Sequence, residues 1–249
     1  MDYWILAFAA AVTSVCAVVR GYSGFGMGLM IIPLLSLMLD PQDAVVIVLI
    51  FGVTVALCQL PGLWIHIDWR GLKLLLPTAI LTTPIGTWLL GLASPTALRL
   101  GLSIAVLTVA CLFLIGFRLP GTPARSTVAA TGALAGVMNG VAGLSGPPLV
   151  FLYLTRTDSL SVGRATLIAF FFVTDAAALA FAAFGGLVER DTALSSLLLI
   201  PFLLAGVFLG ERAFRGTSPE RFRQVVLWLL VLTGIVGALR ALWPAFNAS

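Results

Sequence analysis

The chain has 249 residues, of which 60% are hydrophobic and 10% are charged, and its mean hydropathy is +1.12. Soluble domains carry about 25% charged residues, so this composition excludes a soluble protein and indicates an integral membrane protein. The net charge of +4 comes from basic residues scattered over short loops rather than gathered on one face, which excludes nucleic acid as the expected partner.

Apolar runs follow one another along the whole chain, separated by only a few residues. They lie at about residues 3–20, 29–39, 43–60, 72–92, 96–115, 126–139, 148–155, 162–185, 192–210 and 222–240. Several reach the roughly 20 residues that a membrane-spanning helix needs. The first run lacks a basic leading region, so we expect mature protein there rather than a cleaved signal peptide. The pattern predicts an all-α, multi-pass protein of the cell inner membrane, surrounded by lipid.

Two glycine-rich segments interrupt the apolar runs, and we call them the first break, residues 21–28, and the second break, residues 140–148. The runs beside them are too short to span. Irregular backbone at membrane depth survives only where it is buried in protein or lines a cavity. Paired breaks in two halves of a chain are typical of transporter substrate sites.

The two breaks belong to an internal repeat. A shift of 119 residues places Gly21 on Gly140, and a shift of 124 places Gly86 on Gly210. The repeat predicts two membrane units, residues 1–117 and 118–249, that form a single membrane domain.

Loop charges distinguish two topologies of the broken segments. If each segment folds back as a helical hairpin, ten basic residues lie on one face and three on the other; if each crosses once, the split is seven against six. The ten are Arg70, Lys73, Arg118, Arg125, Arg156, Arg164, Arg212, Arg215, Arg221 and Arg223. Cytoplasmic loops are enriched in Lys and Arg, so hairpins are predicted. Each half then adds three crossings to its hairpin, which inverts the second half and places both termini on the outer face.

The breaks carry the groups that a small anion needs. Glycine turns the chain sharply, and the helix that starts after such a turn presents free N–H groups and a partial positive charge. Hydroxyl, amide and guanidinium side chains add donors. The predicted substrate-binding residues are Arg20, Gly21, Ser23, Gly24, Gly26, Gly28, Asn139, Gly143, Ser145 and Gly146.

Simpler interpretations of the same residues remain. Small residues also allow close helix packing without any site, although clustering at repeat-related positions and the Pro147-Pro148 pair favour a site. Arg20 ends an apolar run and has the alternative of snorkelling to the membrane interface.

Asp175 lies near the middle of the run at 162–185, where a carboxylate is costly and indicates a functional site. It is predicted to exchange a proton or bind a cation during transport, with structural pairing to Arg20 as the alternative. Thr83 and Gln59 are weaker candidates for lining the path. Hydroxyls in membrane helices often bond only to their own backbone.

Two other functions are considered. Gly143-Leu144-Ser145-Gly146 fits the Gly-x-Ser-Gly pattern of intramembrane serine proteases, but a serine nucleophile needs a base, and the chain's one histidine, His66, belongs to a surface loop. No enzymatic activity is therefore expected. Glycine-rich breaks also build channel filters, so an anion channel remains an alternative.

The three cysteines lack metal-ligand spacing, and neither a metal nor a cofactor is expected.

The chain resembles the sulfite exporter TauE/SafE family over nearly its whole length. The resemblance rests on the repeat, on a first signature at Gly21–Pro33 with a Gly-Phe-Gly-x-Gly core, and on a second from Gly136 through Gly146-Pro147-Pro148. It implies a membrane carrier that moves sulfite, sulfonates or related organosulfur anions, commonly outward. We expect a secondary transporter that exports sulfite or an organosulfonate such as sulfoacetate by alternating access around the two breaks. A proton or sodium ion is the candidate coupling ion and a homodimer a candidate assembly. Import of another small carboxylate or sulfonate is the alternative.

Overall fold

The computed structural model of the protein describes residues 3–94, 97, 124–144, 146, 149, 152, 160–218, 221, 224, 225 and 228. This part of the chain is helical. Its α-helices are α1 (Tyr3–Ser23), α2 (Met27–Leu35), α3 (Pro41–Leu63), α4 (Trp69–Leu92), α5 (Arg125–Ala142), α6 (Leu160–Phe184) and α7 (Arg190–Phe214), with a 3₁₀ turn at Trp64–His66 between α3 and α4.

Five of these helices are long and apolar enough to cross a membrane: α1, α3, α4, α6 and α7. They confirm a multi-pass membrane protein. The apolar runs predicted at about 96–115 and 222–240 lie almost wholly outside the described residues, as does most of the run at 148–155.

Helix α3 lies at the centre of the bundle, and its apolar side chains face other helices on nearly every side. Two-thirds of its most apolar window, 67%, is buried, against 33% for α4 and 39% for α7. The side chains that α4 and α7 turn outward are themselves large and apolar, for example Leu81 and Phe208. Lipid is the solvent that such surfaces require.

Glycines hold two pairs of helices in backbone contact, α1 with α7 and α4 with α5. A Cβ added at Gly210 would overlap the carbonyl oxygen of Val18, and one at Gly86 would overlap that of Val137. Small residues let membrane helices approach this closely. Gly86 and Gly210 are related by the sequence repeat, and they occupy equivalent places in the two pairs.

The contacts of these pairs advance in the same direction along both partners. Gly206 meets Ser14 and Ala17, and Gly210 meets Val18 and Tyr22, so α1 and α7 run the same way. In the other pair, Gly132 meets Leu75 and Thr78, Gly136 meets Ala79 and Thr82, and Gly140 meets Thr83 and Thr87, so α5 runs the same way as α4.

Three hydrogen bonds connect the helix ends. At one end of the bundle, the Asp68 N–H before α4 donates to Thr166 Oγ1 near the start of α6 over 2.9 Å. At the other end, Thr192 Oγ1 near the start of α7 donates to Asp43 Oδ1 over 2.7 Å. There too, Gln42 Nε2 donates to the Leu90 carbonyl over 3.1 Å. Helices α4, α5 and α6 therefore start at the first end, where α3 and α7 finish.

We call this first end the basic end, because it carries five of the described basic residues. They are Arg70, Lys73, Arg125, Arg212 and Arg215. Arg190 lies at the opposite end, at the start of α7. The charge count from sequence placed Arg164 on this face too. Arg164 lies near the start of α6, close to the basic end, but its side chain is buried, at 6% exposed, rather than in a loop.

Candidate functional site

A cavity that is partly open to the outside lies between the two breaks. Its walls come from both breaks, from α3 and from α6. The lining residues are Arg20, Phe25, Gly26, Met27, Gly28, Leu29, Val48, Gly52, Gly143, Leu144, Gly146, Phe171 and Asp175. Six of the residues selected from sequence line it: Arg20, Gly26, Gly28, Gly143, Gly146 and Asp175. The sequence did not indicate the apolar walls or Gly52.

The first break is a sharp turn between α1 and α2. Gly24 and Gly26 adopt left-handed conformations, with φ of 80° and 87°, which residues other than glycine rarely adopt. The Ser23 hydroxyl binds within the turn: it donates to the Phe25 carbonyl over 2.6 Å and accepts from the Phe25 N–H over 3.3 Å. Ser23 thus stabilises the turn itself.

Helix α2 starts directly at the cavity. Its N-cap residue, Gly26, supplies no side-chain hydrogen bond to the first turn, and the residues of that turn, Met27, Gly28 and Leu29, are among the lining residues. The first N–H groups of a helix have no partner within the helix. The wall of the cavity therefore includes an uncapped helix start, which favours negative charge.

The second break begins where α5 ends. Gly143 is left-handed, with φ of 59°, and its N–H donates to the Asn139 carbonyl over 2.7 Å, a common way to end a helix. A Cβ at Gly28 would lie 2.7 Å from the Gly143 carbonyl oxygen. The two breaks therefore meet, and glycine at position 28 is what permits the contact. Ser145, Pro147 and Pro148 lie outside the described residues.

Arg20 is the cationic group of the cavity. It lies in the last turn of α1 and is 3% exposed. The carbon at the centre of its guanidinium lies 4.9 Å from the centroid of the Phe171 ring, a cation–π distance. Its Nη1 has no hydrogen-bond partner among the described residues. A buried donor without a partner is costly, so a ligand that accepts a hydrogen bond from Nη1 is stabilised here. The position excludes the snorkelling alternative.

Asp175 provides the opposite charge. It lies near the middle of α6, is 8% exposed, and interacts electrostatically with Arg20. No salt bridge joins the two side chains within the described part of the chain. Asn139 lies beside the Asp175 carboxylate, and neither its amide nitrogen nor its amide oxygen makes a well-formed hydrogen bond to a described residue. The site thus holds two separated charges and an amide with unused hydrogen-bonding capacity.

Gly52 makes room for the Asp175 carboxylate. It lies in the middle of α3, and a Cβ at this position would overlap Asp175 Oδ2. The apolar run at 43–60 gave no sign of this role. The contact between α3 and α6 explains it, because only a glycine leaves enough space for a carboxylate between two packed helices.

Replacing Gly52 by Ala is expected to displace the Asp175 carboxylate and to lower anion flux about tenfold, which corresponds to a loss of about 1.4 kcal/mol of binding free energy. The measurement is the initial rate of uptake into proteoliposomes that contain equal amounts of folded protein. Gly62→Ala is the matched control, because Gly62 lies on the same helix with nothing within 4 Å of an added Cβ. Both variants replace a glycine of α3 by alanine, which is the better helix former. Wild-type flux in Gly52→Ala would contradict the role of Gly52.

Among the described residues selected from sequence, six others are not part of the cavity lining: Gly21, Ser23, Gly24, Gln59, Thr83 and Asn139. Gly21 packs against the backbone of α7 at Val207, as close helix packing requires. Gly24 contacts the side chain of Arg164. The Thr83 hydroxyl donates to the Ala79 carbonyl over 2.8 Å, which is the local backbone bond considered as its alternative.

Gln59 belongs to a second buried polar cluster. Its Nε2 donates to Glu211 Oε1 over 3.1 Å. Arg164 Nη2 reaches the same oxygen over 3.2 Å and also donates to the Gly21 carbonyl over 2.7 Å. Sequence reasoning missed this cluster, because Arg164 and Glu211 lie near the ends of apolar runs and there resemble ordinary loop charges.

His66 is exposed on the 3₁₀ turn at the basic end, whereas the cavity lies among the helix middles. It is therefore badly placed to serve as a base at the second break. This position matches the surface location expected from sequence.

Comparison with known proteins identifies the family. The profile of the sulfite exporter TauE/SafE family matches residues 8–236. The chain belongs to the sulfite exporter TauE/SafE family. It is 28% identical over 235 residues to a protein of Cupriavidus necator named probable sulfite/organosulfonate exporter TauE, covering 91% of this chain and 89% of that protein. No solved structure matches the chain.

Proposed function

We propose that this family member is a secondary carrier for a small sulfur oxyanion, either sulfite or an organosulfonate such as sulfoacetate, and that the cavity between the breaks is its binding site. The observation that carries the proposal is the convergence of two anion-attracting features on one cavity. These are the uncapped start of α2 and the buried guanidinium of Arg20.

The chemistry of a sulfur oxyanion suits these groups. Its ionised oxygens accept hydrogen bonds, and the wall offers backbone N–H groups at a helix start together with a planar guanidinium fork. The guanidinium of Arg20 is 3% exposed, and a hydrogen bond to such a buried group is stronger than the same bond in solution. Asn139 and Ser145 remain predicted donors, as do Ser23, Gly21 and Gly24 if the break rearranges when it binds substrate.

The helix directions support an inverted repeat with two hairpins. Helix α1 starts at the end opposite the basic end and runs toward it, whereas α5 starts at the basic end and runs away from it. The start of α3 lies at the same end as that of α1, since Asp43 binds Thr192. This arrangement is expected of a hairpin formed by α1 and α2, within units 1–117 and 118–249.

The basic end is assigned to the cytoplasm in this proposal, because cytoplasmic loops carry the excess of Lys and Arg. Both termini then face outward. A basic surface also raises the local concentration of anions, which suits a carrier that collects its substrate inside the cell. Export is the direction that the name of the Cupriavidus protein suggests.

Alternating access requires the cavity to open to each side in turn around a fixed site. The first break closes the cavity toward the basic end and the second break closes it toward the opposite end in this proposal, and their contact at Gly28 and Gly143 is the point about which they move. Asp175 is proposed to take up a proton or a cation as the anion binds beside Arg20.

Flux into proteoliposomes tests the function. We expect uptake of labelled sulfite and of a panel of sulfonates to saturate, to be accelerated by substrate on the opposite side, and to respond to an imposed proton or sodium gradient. Counterflow indicates a carrier, whereas steady single-channel current would indicate the alternative of an anion channel. Absence of flux for every sulfur oxyanion, with flux of a small carboxylate instead, would replace the proposed substrate.

A further inference from the structure

Arg164 and Glu211 form a buried ion pair between the cavity and the basic end. Arg164 lies in the first turns of α6 and Glu211 in the last turn of α7, and both of these helix ends belong to the basic end. The two side chains are 6% and 28% exposed. Glu211 is thus the more accessible partner, and Arg164 lies behind it.

Arg164 also borders the cavity from outside. Its side chain lies against Gly24 of the first break, and a Cβ at that position would be 2.8 Å from Arg164 Cγ. Its guanidinium is close enough to Arg20 for the two positive charges to influence each other. Two guanidinium groups therefore lie close to each other, that of Arg20 in the cavity wall and that of Arg164 outside it.

The guanidinium of Arg164 is only partly satisfied. Nη2 bonds to the Gly21 carbonyl and to Glu211, and its central carbon lies 4.7 Å from the centroid of the Phe214 ring. Nε has no hydrogen-bond partner among the described residues, and the same holds for Gln59 Oε1 beside it. The cluster around Glu211 thus contains one donor, Arg164 Nε, and one acceptor, Gln59 Oε1, that are available to form hydrogen bonds with a ligand.

From this geometry we infer that Arg164 is a second anion-binding residue, which substrate meets when it enters from the basic end. In the absence of substrate, the Glu211 carboxylate binds Arg164, and a substrate anion displaces it. The inference rests on the proposed function and adds a step to it. Exchange of one anion for another costs less than exposing a bare buried guanidinium, because a buried charge without a partner is strongly destabilising. In this inference the pair shields the side of the cavity that faces the basic end and gives way to an anion.

Variants that remove the charge of Glu211 or of Arg164 distinguish a role in anion entry from a purely structural role. In Glu211→Gln, an amide oxygen still accepts from Arg164, but the competing charge is gone. We expect the KM for sulfite presented at the basic end to fall about fivefold, with little change in the KM from the opposite end. In Arg164→Gln, we expect flux to fall about tenfold or more. Glu189→Gln, an exposed change of the same kind at the opposite end, is the control.

The double variant Arg164→Gln/Glu211→Gln is decisive. If the pair serves only to hold α6 and α7 together, removing both charges relieves the unpaired carboxylate and returns flux toward wild type. If Arg164 receives the anion, the double variant stays as slow as Arg164→Gln. Recovery of flux, or an unchanged KM in Glu211→Gln, would overturn the inference.

A second measurement does not depend on the substrate. Val48 lines the cavity, so Val48→Cys, in a protein whose native cysteines are replaced by Ala, reports opening through its rate of alkylation by a membrane-impermeant maleimide. From the basic end, Glu211→Gln is expected to raise this rate about fivefold, and equal rates would overturn the gate. If Glu211→Gln raises the alkylation rate but the wild-type protein transports no sulfur oxyanion, the proposed substrate is contradicted, whereas the role of the Arg164–Glu211 pair as a gate is supported.

Discussion

Replacing Arg20 by Gln is expected to lower anion flux about 100-fold at low substrate concentration. The side chain supplies the cationic group of the cavity wall, and its buried Nη1 has no partner among the described residues. Losing a charge-assisted bond in a buried site costs about 3 kcal/mol, which corresponds to roughly two powers of ten in affinity. The measurement is the initial rate of labelled sulfite uptake, compared at equal amounts of folded protein.

Three variants separate binding from folding. Arg20→Lys keeps the charge and loses the planar fork, so an intermediate flux is expected. Arg190→Gln makes the same change at an exposed position at the opposite end and should leave flux unchanged. The double variant Arg20→Gln/Asp175→Asn removes both buried charges. Restored flux there would mean that Arg20 serves only as a partner for Asp175.

Replacing Asp175 by Asn is expected to remove the pH dependence of flux. In the wild-type protein, the carboxylate borders the cavity into which the anion must enter. Since a negative Asp175 repels that anion and a protonated one does not, lowering the pH should increase binding and flux. Asn resembles the protonated form in shape and charge. Its flux should therefore stay high and constant with pH, while uptake driven by a proton gradient falls about tenfold or more.

The substrate used in this measurement must not titrate in the same pH range as the protein. An alkanesulfonate stays ionised across the pH range, whereas sulfite itself gains and loses a proton near neutral pH. The pH profile of sulfonate flux in wild type and in Asp175→Asn is therefore the comparison. A parallel profile in both proteins would contradict a role in coupling. A thermal midpoint that falls in Asp175→Asn, with no change in the profile, would favour the structural alternative.

Gly52 and Asn139 connect these predictions to the architecture. Gly52 leaves space for the carboxylate on one side, and Asn139 lies beside it on another. The helices that carry them, α3 and α5, belong to different units of the predicted repeat. A movement of one unit against the other therefore changes the surroundings of Asp175, and this is how a titrating group is linked to an alternating cavity in the proposed mechanism.

The sequence predicted the membrane helices well, because the cost of placing polar groups in lipid is large and acts locally. The runs at 43–60 and 192–210 correspond to α3 and α7 to within a few residues. Glycine spacing likewise located the turn at Gly24–Gly26 and the end of α5 at Gly143, since few other residues tolerate those backbone conformations.

Individual side-chain roles were harder to assign. One cavity is lined by Arg20, Gly26, Gly28, Gly143, Gly146 and Asp175, and their binding of a substrate stays a prediction. Gly21 was expected at the same site and instead packs against α7. A glycine in a membrane helix can allow either close packing or the approach of an anion, and the sequence does not distinguish the two roles. Arg164 was counted as a loop charge, although a partner 47 residues away in sequence, Glu211, keeps it buried.

The amino-acid sequence by itself determined that the protein lies in lipid, which segments are helical and where the two helix breaks fall. Each of these follows from the hydropathy and the backbone freedom of neighbouring residues. Only the tertiary structure decided which glycine faces a cavity and which faces a helix. It alone brought Gly52 to Asp175 and Arg164 to Glu211, because those contacts depend on how separate helices cross, and no local pattern of residues encodes a crossing.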